Sequence, residues 1–139
     1  MASPEKRQII TRWLEEVYVE MDLSVVDELM ADEIVTYLHG HQHGYKGRES
    51  FKNWLLWHRK SFVKCRWLIN DTVEEKDKIV MRFTTFSHYK GGVADIPCIN
   101  QQVKESGIII FLIRDHKIYK QWLEISDLDV LEQLKSPFN

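Results

Sequence analysis

Three side chains that can transfer protons fall on segments whose residue patterns predict an inward-facing position. His58 lies on the apolar face of a predicted third helix. Glu105 alternates with Ile109 along a predicted strand, so the two share a face, and the apolar residue indicates that this face points inward. Tyr18 follows the apolar residues of the first predicted helix. If His58 and Glu105 face one cavity, they can act together as general acid and base, with Tyr18 as a third proton-transfer group.

For Glu105 and His58, a purely structural role is the alternative to acid–base catalysis. Buried glutamates are rare, which favours the alternative that Glu105 is an exposed strand-end residue beside Lys104. Histidine is moderately favoured at partly buried positions, so His58 can be a hydrogen-bonded core residue rather than a base. Unchanged activity or ligand affinity in His58→Ala and Glu105→Gln would remove the acid–base hypothesis.

A second group of histidines, His39, His41 and His43, alternates along the chain. On a strand all three would lie on one side, as the ligands of a zinc ion do. Gly40 and Gly44 within the same stretch favour a loop instead, and no carboxylate is spaced to complete a ligand set. We therefore expect a solvated or mouth-lining loop and no metal.

The helices that would position these side chains are predicted from capping signals and apolar spacing. A first helix starts at Ser3-Pro4, with an apolar face that continues to Met21. A second has a capping-box pattern over residues 24–27 and continues through residue 30, and a third spans residues 48–62. A last short helix is predicted over residues 128–134, capped by Ser126.

The strand signals follow the third helix, apart from one early candidate. The predicted strands cover residues 34–39, a hairpin over 64–74 and 78–89, and a central hairpin over 107–113 and 118–125, with a loop over 91–100. Three helices followed by long antiparallel strands predict an α+β fold. A strongly curved sheet with helices on one face can form a cone, and the space between the layers is a natural ligand site.

Length and composition limit the remaining possibilities. A chain of 139 residues is expected to form one domain over 1–139. The net charge of −2 gives no reason to expect nucleic acid or an anionic membrane. No apolar run is long enough to cross a bilayer, and no signal-peptide core is present. Cys65 and Cys98 lack zinc-ligand spacing, so we expect reduced thiols in a cytoplasmic protein.

The order of these signals resembles the nuclear transport factor two-like superfamily, and within it the SnoaL-like branch of polyketide cyclases and steroid isomerases. The matching pieces are Asp22-Leu23-Ser24, Met30-Ala31-Asp32-Glu33, Gly47-Arg48-Glu49, the segment 91–97 with its Ile-Pro, His116-Lys117-Ile118, Gln121-Trp122 and Leu131-Glu132-Gln133-Leu134. The resemblance implies a cone-shaped fold, a pocket closed by the helices and a homodimer through the outer face of the sheet. It does not fix the activity, because one fold supports many functions.

The catalytic positions that the resemblance implies are occupied by other residue types in this chain. Steroid isomerases of this fold use a tyrosine, a carboxylate base and a protonated carboxylic acid, and these positions fall on Leu14, Leu38 and Ile109. Cyclases of the branch carry a histidine and an aspartate on the last strand, where this chain has Gln121 and Leu123. A glutamine can hydrogen-bond a carbonyl but cannot move a proton near neutral pH. The usual isomerase and cyclase chemistry is therefore not expected.

Two main hypotheses follow from these residues. The first is a pocket protein of unassigned chemistry that binds a small, apolar, possibly cyclic ligand without a cofactor. Its predicted lining residues are Leu14, Val17, Leu38, Trp54, Phe83, Thr85, Tyr89, Ile109, Gln121 and Leu123. The second is a cofactor-free isomerase, cyclase or dehydratase that uses His58, Glu105 and Tyr18. Two titratable groups within hydrogen-bond reach in a pocket would favour the enzyme, and one polar contact among apolar walls would favour binding.

A third, purely structural role as a dimerisation module rests on the outer face of the sheet. Trp122 alternates away from Gln121 and Leu123, which places it on that face. A large exposed aromatic side chain is unfavourable in a monomer and useful in an interface. We therefore expect a homodimer that buries Trp122.

Overall fold

The computed structural model describes residues 4–38 and 43–136. Its helices are α1 (Pro4–Arg12), a π-helix (Trp13–Val19), α2 (Leu23–Leu29), α3 (Arg48–Arg59) and α4 (Asp127–Lys135). Its strands are β1 (Met30–Leu38), β2 (Tyr45–Lys46), β3 (Phe62–Glu75), β4 (Lys78–Tyr89), β5 (Gln102–Arg114) and β6 (Lys117–Ile125). None of the described helices is long and apolar enough to cross a membrane.

The strands form one mixed sheet in the order β2-β1-β6-β5-β4-β3. The hairpins β3–β4 and β5–β6 are antiparallel and lie next to each other, whereas β1 runs parallel to β6. The sheet is strongly curled around the helices, which confirms the predicted α+β cone with a mostly antiparallel sheet. The predicted hairpin turns lie where the sequence placed them.

The core lies between the inner face of the curled sheet and the helices. Every second residue of β5, beginning with Val103, is buried. Beside them on the same face lie Ile79, Met81 and Phe83 of β4. The fully buried side chains of the helices include Ile10, Trp13, Leu14, Val17, Tyr18 and Leu55. Burial of this apolar surface is the main stabilising contribution to the fold.

The end of the first helix differs from the regular helix that the sequence predicted. After Arg12 the chain continues as a π-helix, in which the amide of Glu20 donates to the carbonyl of Glu15 over 2.9 Å. In an α-helix, residues five apart point about 140° away from each other. The wider π turn instead lets Trp13 and Tyr18 stack, with ring centroids 5.3 Å apart and an interplanar angle of 12°. Both aromatic rings therefore face the sheet.

The predicted capping boxes were wrong in their details. Asp22, not Ser24, is the N-cap of α2, and its carboxylate accepts a hydrogen bond from the backbone amide of Ser24 over 3.2 Å. Ser126 does precede α4, but its hydroxyl makes no capping bond and accepts one from the amide of Ser106 over 3.0 Å. The Ser126 hydroxyl therefore connects α4 to β5 instead of capping the helix.

Three predicted element boundaries were also wrong, because long-range strand pairing extends the strands beyond their local signals. The third helix ends at Arg59, and Phe62 instead opens β3 opposite Tyr89. β1 begins at Met30, where it pairs with β6, and β5 begins at Gln102, where it pairs with β4. These partners are distant in sequence, so no local pattern indicates them.

Gly107 lets an aromatic ring lie directly on the central strand. A Cβ atom at this position would approach a ring carbon of Phe83 to 2.7 Å and the carbonyl oxygen of Glu124 to 3.0 Å. Phe83 in turn packs edge-on against Tyr18, with ring centroids 5.9 Å apart. Because Gly107 has no side chain, Phe83 can lie directly on β5, and the position of Phe83 sets how closely Tyr18 approaches the sheet.

We expect Gly107→Ala to lower the free energy of unfolding by about 1–3 kcal/mol, because the new methyl group overpacks the contact with Phe83. Urea unfolding measures the change. The matched control is Ser106→Ala, at the neighbouring exposed position of β5, which should change stability by less than about 0.5 kcal/mol. Equal stability of Gly107→Ala and wild type would contradict this packing.

Candidate functional site

A buried carboxylate with two proton-bearing neighbours lies between the helices and the sheet. The hydroxyl of Tyr18 donates to Oε1 of Glu105 over 2.5 Å. On the other side, Nε2 of His58 lies 3.2 Å from Oε2 of Glu105. An ionised carboxylate can only accept hydrogen bonds, so Nε2 of His58 is the donor in this contact whenever Glu105 is ionised. We call Tyr18, His58 and Glu105 the acid–base cluster.

Three different elements position the acid–base cluster. Tyr18 comes from the last turn of the π-helix, His58 from the last turn of α3 and Glu105 from the first half of β5. All three side chains are buried, with no exposed surface for Tyr18, 8% exposure for His58 and 3% for Glu105. The structure thus brings together the three proton-transfer candidates that the sequence predicted, and it excludes the exposed alternative for Glu105.

The surroundings keep the Tyr18 phenol protonated. Its complete burial, and then the nearby Glu105 carboxylate, raise the pKa of Tyr18 well above its usual value. A neutral phenol can continue to donate a hydrogen bond at any physiological pH. The cluster therefore holds a permanent donor beside a carboxylate acceptor.

Arg59 is a cationic side chain next to the cluster that no sequence pattern indicated. One guanidinium nitrogen donates to the backbone carbonyl of Tyr18, and Nη1 donates to that of Phe62 over 3.2 Å. The guanidinium also lies 5.9 Å from the centre of the Tyr18 ring. Desolvation lowers the pKa of Arg59. Arg59 thus connects α3 and the first residue of β3 to the backbone of Tyr18.

A second polar network holds the predicted ligand contact Gln121. Its Oε1 accepts a hydrogen bond from the indole of Trp13 over 3.0 Å, and its Nε2 donates to the hydroxyl of Thr36 over 2.8 Å. The amide is fully buried. Gln121 therefore uses both ends of its amide to join the π-helix, β6 and β1.

The predicted apolar lining residues divide between two clusters. Leu14, Val17, Phe83, Ile109 and Leu123 are buried in the main core, and Leu38 and Trp54 pack against it while half-buried. Thr85 is completely buried on β4, directly opposite Glu105 on β5. Tyr89 lies in a smaller cluster with Phe62, Val103, Val130 and Leu134. Whether these residues touch a ligand stays a prediction.

The smaller cluster closes one end of the core beside the acid–base cluster. The rings of His58 and Phe62 lie 5.1 Å apart, and Phe62 packs on Tyr89. The Tyr89 hydroxyl accepts from the amide of Val93 over 2.9 Å and donates to the carbonyl of Ile96 over 2.7 Å. Tyr89 therefore fastens the 91–100 loop over this end, and α4 adds Val130 and Leu134 to the closure.

Several surface grooves are present among the described residues, on the outer face of the sheet and beside α3. Two of them measure about 500 and 530 Å³, and the first is lined by Val73, Val80, Ile110 and Leu112 with charged neighbours. Tyr18, His58 and Glu105 do not line these grooves, and all three side chains are buried. The acid–base cluster is enclosed by side chains in this conformation.

The predicted histidine loop lies largely outside the described residues, since His39 and His41 are not among them. His43 is exposed. Within residues 4–38 and 43–136, no three histidine, cysteine, aspartate or glutamate side chains are grouped as a metal site would require. Cys98 is exposed, and its thiol donates to the carbonyl of Tyr89 over 3.1 Å.

Comparison with known proteins identifies the family. The sequence profile of the SnoaL-like polyketide cyclases matches residues 8–134. The chain belongs to this family. No curated protein is similar enough in sequence to count as a relative.

Solved structures confirm the cone fold of this SnoaL-like protein. A provisionally assigned polyketide cyclase from Acidithiobacillus ferrooxidans has a TM-score of 0.86 and 22% identity, with 97% of this chain and 98% of that chain covered. A provisionally assigned SnoaL-like polyketide cyclase from Jannaschia sp. CCS1 has a TM-score of 0.85 and 18% identity, with 99% and 98% covered. TsrD from Streptomyces laurentii has a TM-score of 0.79 and 23% identity, with 96% and 97% covered.

The raised pKa of Tyr18 predicts a specific loss of stability in alkali. Below about pH 10 the tyrosine is protonated in both the folded and the unfolded chain. Above that pH the unfolded chain loses the proton while folded Tyr18 retains it, so stability falls by about 1.4 kcal/mol per pH unit. We expect Tyr18→Phe to lack this part of the decline.

Urea unfolding between pH 9 and 11 gives the comparison, with Tyr119→Phe on β6 as the control that keeps the wild-type slope. Parallel profiles for wild type and Tyr18→Phe would show that the phenol does not hold its proton more tightly in the folded chain.

Proposed function

We propose that this SnoaL-like protein is a cofactor-free enzyme that removes a proton from a carbon next to a carbonyl group. The observation that carries the proposal is the contact of one buried carboxylate, Glu105, with both Tyr18 and His58. Two titratable groups within hydrogen-bond reach distinguish a proton-transfer site from a simple apolar binding pocket. A buried site also strengthens every electrostatic interaction inside it.

The three side chains have separate roles in this reaction. The Glu105 carboxylate takes the proton from carbon, and the electron pair of the broken C–H bond moves to the carbonyl oxygen as an enolate. Tyr18, which stays protonated, turns its O–H away from Oε1 of Glu105 and donates it to that oxygen. His58 holds Glu105 through Nε2 and fixes the direction of the carboxylate. Isomerisation is completed when Glu105 returns the proton to a different carbon. Cyclisation is completed when the enolate carbon attacks a second carbonyl and the resulting alkoxide takes the proton from Glu105.

The surroundings favour a neutral, largely apolar substrate. Aromatic rings stack along the helical side of the cluster, with the rings of Tyr18 and Trp54 6.1 Å apart. A substrate anion would be repelled by the Glu105 carboxylate, and Arg59 donates its terminal nitrogens to backbone carbonyls. The family description and the similar structures named as polyketide cyclases support a ketone of this kind, because such cyclisations begin with an enolate.

The reaction requires the closed end of the core to open for substrate. Phe62, Tyr89 and Leu134 lie between the acid–base cluster and the outside. The 91–100 loop carries Gly91 and Gly92 in left-handed backbone conformations, which gives it two points of easy bending. We infer that release of the Tyr89 hydroxyl from this loop admits the ligand.

The reaction can be tested with the simple ketone 2-tetralone, without knowledge of the natural substrate. Proton NMR in heavy water measures how fast its C1 protons exchange for deuterium. Wild type is expected to accelerate the exchange. Glu105→Gln should lose about 100-fold or more of this acceleration, because it removes the base, and Tyr18→Phe should lose about 100-fold by removing the donor.

The control is Glu124→Gln, an exposed carboxylate on the outer face of β6, which should retain the wild-type rate. A wild-type protein that binds the ketone without exchanging its protons would refute the enzyme and leave the pocket-protein hypothesis.

We propose in addition that two copies associate through the outer face of the sheet. Trp122 lies on this face, stacked on Tyr37 with ring centroids 5.4 Å apart. Beside it a groove of about 290 Å³ is lined by Lys78, Ile108 and Ile110. Exposed apolar side chains on one sheet face are typical of an interface.

Light scattering is expected to give twice the chain mass of 16.6 kDa. Ile108→Lys should weaken dimerisation by at least about 100-fold, because a buried unpaired charge costs several kcal/mol. Leu56→Lys on α3 is the matched control, since Leu56 is 47% exposed and Ile108 is 46% exposed. A monomeric wild type would overturn this interface.

A further inference from the structure

Two hydroxyl groups on the inner face of β4 are buried without a hydrogen-bond partner. Thr85 has no exposed surface and Ser87 is 3% exposed. Neither Thr85 Oγ1 nor Ser87 Oγ has a partner among the side chains and backbone that the structure describes. The great majority of buried polar groups in native proteins are hydrogen-bonded. Two unpartnered hydroxyls on one strand face therefore require an explanation.

Their position suggests what the missing partner is. Thr85 pairs with Glu105 on β5 and with Trp67 on β3, so its hydroxyl lies in the same row of the inner face as the acid–base carboxylate. Side chains directly opposite each other on an antiparallel pair have Cβ atoms about 5 Å apart. Both carboxylate oxygens of Glu105 are nevertheless bonded to Tyr18 and His58. Thr85 thus borders the reacting position without belonging to its hydrogen-bond network.

The neighbouring threonine shows that a hydroxyl on this strand can be satisfied. Thr84 faces the other side of the sheet, and its hydroxyl donates to Oδ1 of Asn70 over 2.9 Å. A valine would fill the place of Thr85 equally well in a purely structural core, because the two side chains have the same shape. The hydroxyl therefore has no structural use that the described residues reveal.

We propose that Thr85, with Ser87 beyond it, forms an oxygen-recognition subsite for a second oxygen function of the substrate. The ligand group is a neutral hydroxyl or carbonyl, since a threonine hydroxyl can donate to one and accept from the other. An anionic group is excluded by the adjacent Glu105 carboxylate. This proposal rests on the proposed function, because the subsite lies beside the proposed catalytic carboxylate. It predicts that the substrate is a ketone with at least one further oxygen atom.

Binding of simple ketones tests the subsite separately from the reaction. The probes are 2-tetralone and its four ring-hydroxylated isomers, and isothermal titration calorimetry gives the Kd of each. Wild type should bind the best hydroxylated ketone at least about tenfold more tightly than 2-tetralone, which corresponds to one good hydrogen bond. Thr85→Val should reduce this preference to about twofold or less, while Thr84→Val should retain it.

Thermal unfolding of the same variants supplies a second readout that needs no ligand. Thr85→Val should raise the Tm by about 3 °C, because it removes a buried hydroxyl that lacks a partner. Thr84→Val should lower the Tm, because it breaks the bond to Asn70. This opposite pair of shifts would not arise if Thr85 already had a partner in the free protein.

Three results would overturn the subsite: a lowered Tm in Thr85→Val, a preference for the hydroxylated ketone that survives Thr85→Val, or failure of every ketone to bind. A Thr85-dependent preference in a protein that exchanges no C1 protons would refute the proposed reaction and support the subsite. The two proposals can therefore fail independently.

Discussion

Burial of the Glu105 carboxylate is the constraint on which the interior of this SnoaL-like protein depends. An ion removed from water loses several kcal/mol of hydration, and only well-directed hydrogen bonds compensate for it. The phenol of Tyr18 and the imidazole of His58 provide these bonds from two different helical elements. The π-helix, α3 and β5 must therefore keep their relative positions for the carboxylate to remain buried. Displacement of either helix would leave a charge without compensation.

Several features far apart in the sequence serve this one requirement. The π-helix turns Tyr18 towards the sheet, the absent side chain of Gly107 lets Phe83 support the Tyr18 ring, and Arg59 fixes the Tyr18 carbonyl. The proposed proton-transfer groups, Tyr18 and Glu105, lie on the π-helix and on the inner face of β5. Because one fold supports many functions, membership of the SnoaL-like family does not by itself fix where the chemistry takes place.

The sequence indicated the fold because the period of its apolar residues changes clearly from helical to strand-like. The inward position of Glu105 followed from alternation with Ile109, and that of His58 from the apolar face of α3. The π-helix could not be predicted from the sequence. Over a segment of seven residues, a helix with i→i+5 hydrogen bonds shows the same apolar stripe as an α-helix. Arg59 was missed because its partners are backbone carbonyls, which no residue type reveals. The early start of β5 depends on pairing with β4, which no local pattern records.

A double-mutant cycle between Tyr18→Phe and Glu105→Gln, measured by urea unfolding, tests the central claim most directly. If the phenol and the carboxylate are bound to each other in the core, the two substitutions should show a coupling free energy of about 1.5–3 kcal/mol, as expected for a hydrogen bond to a charged group. Additive effects within about 0.3 kcal/mol would contradict the account, because they would mean that the two side chains do not interact in the folded chain.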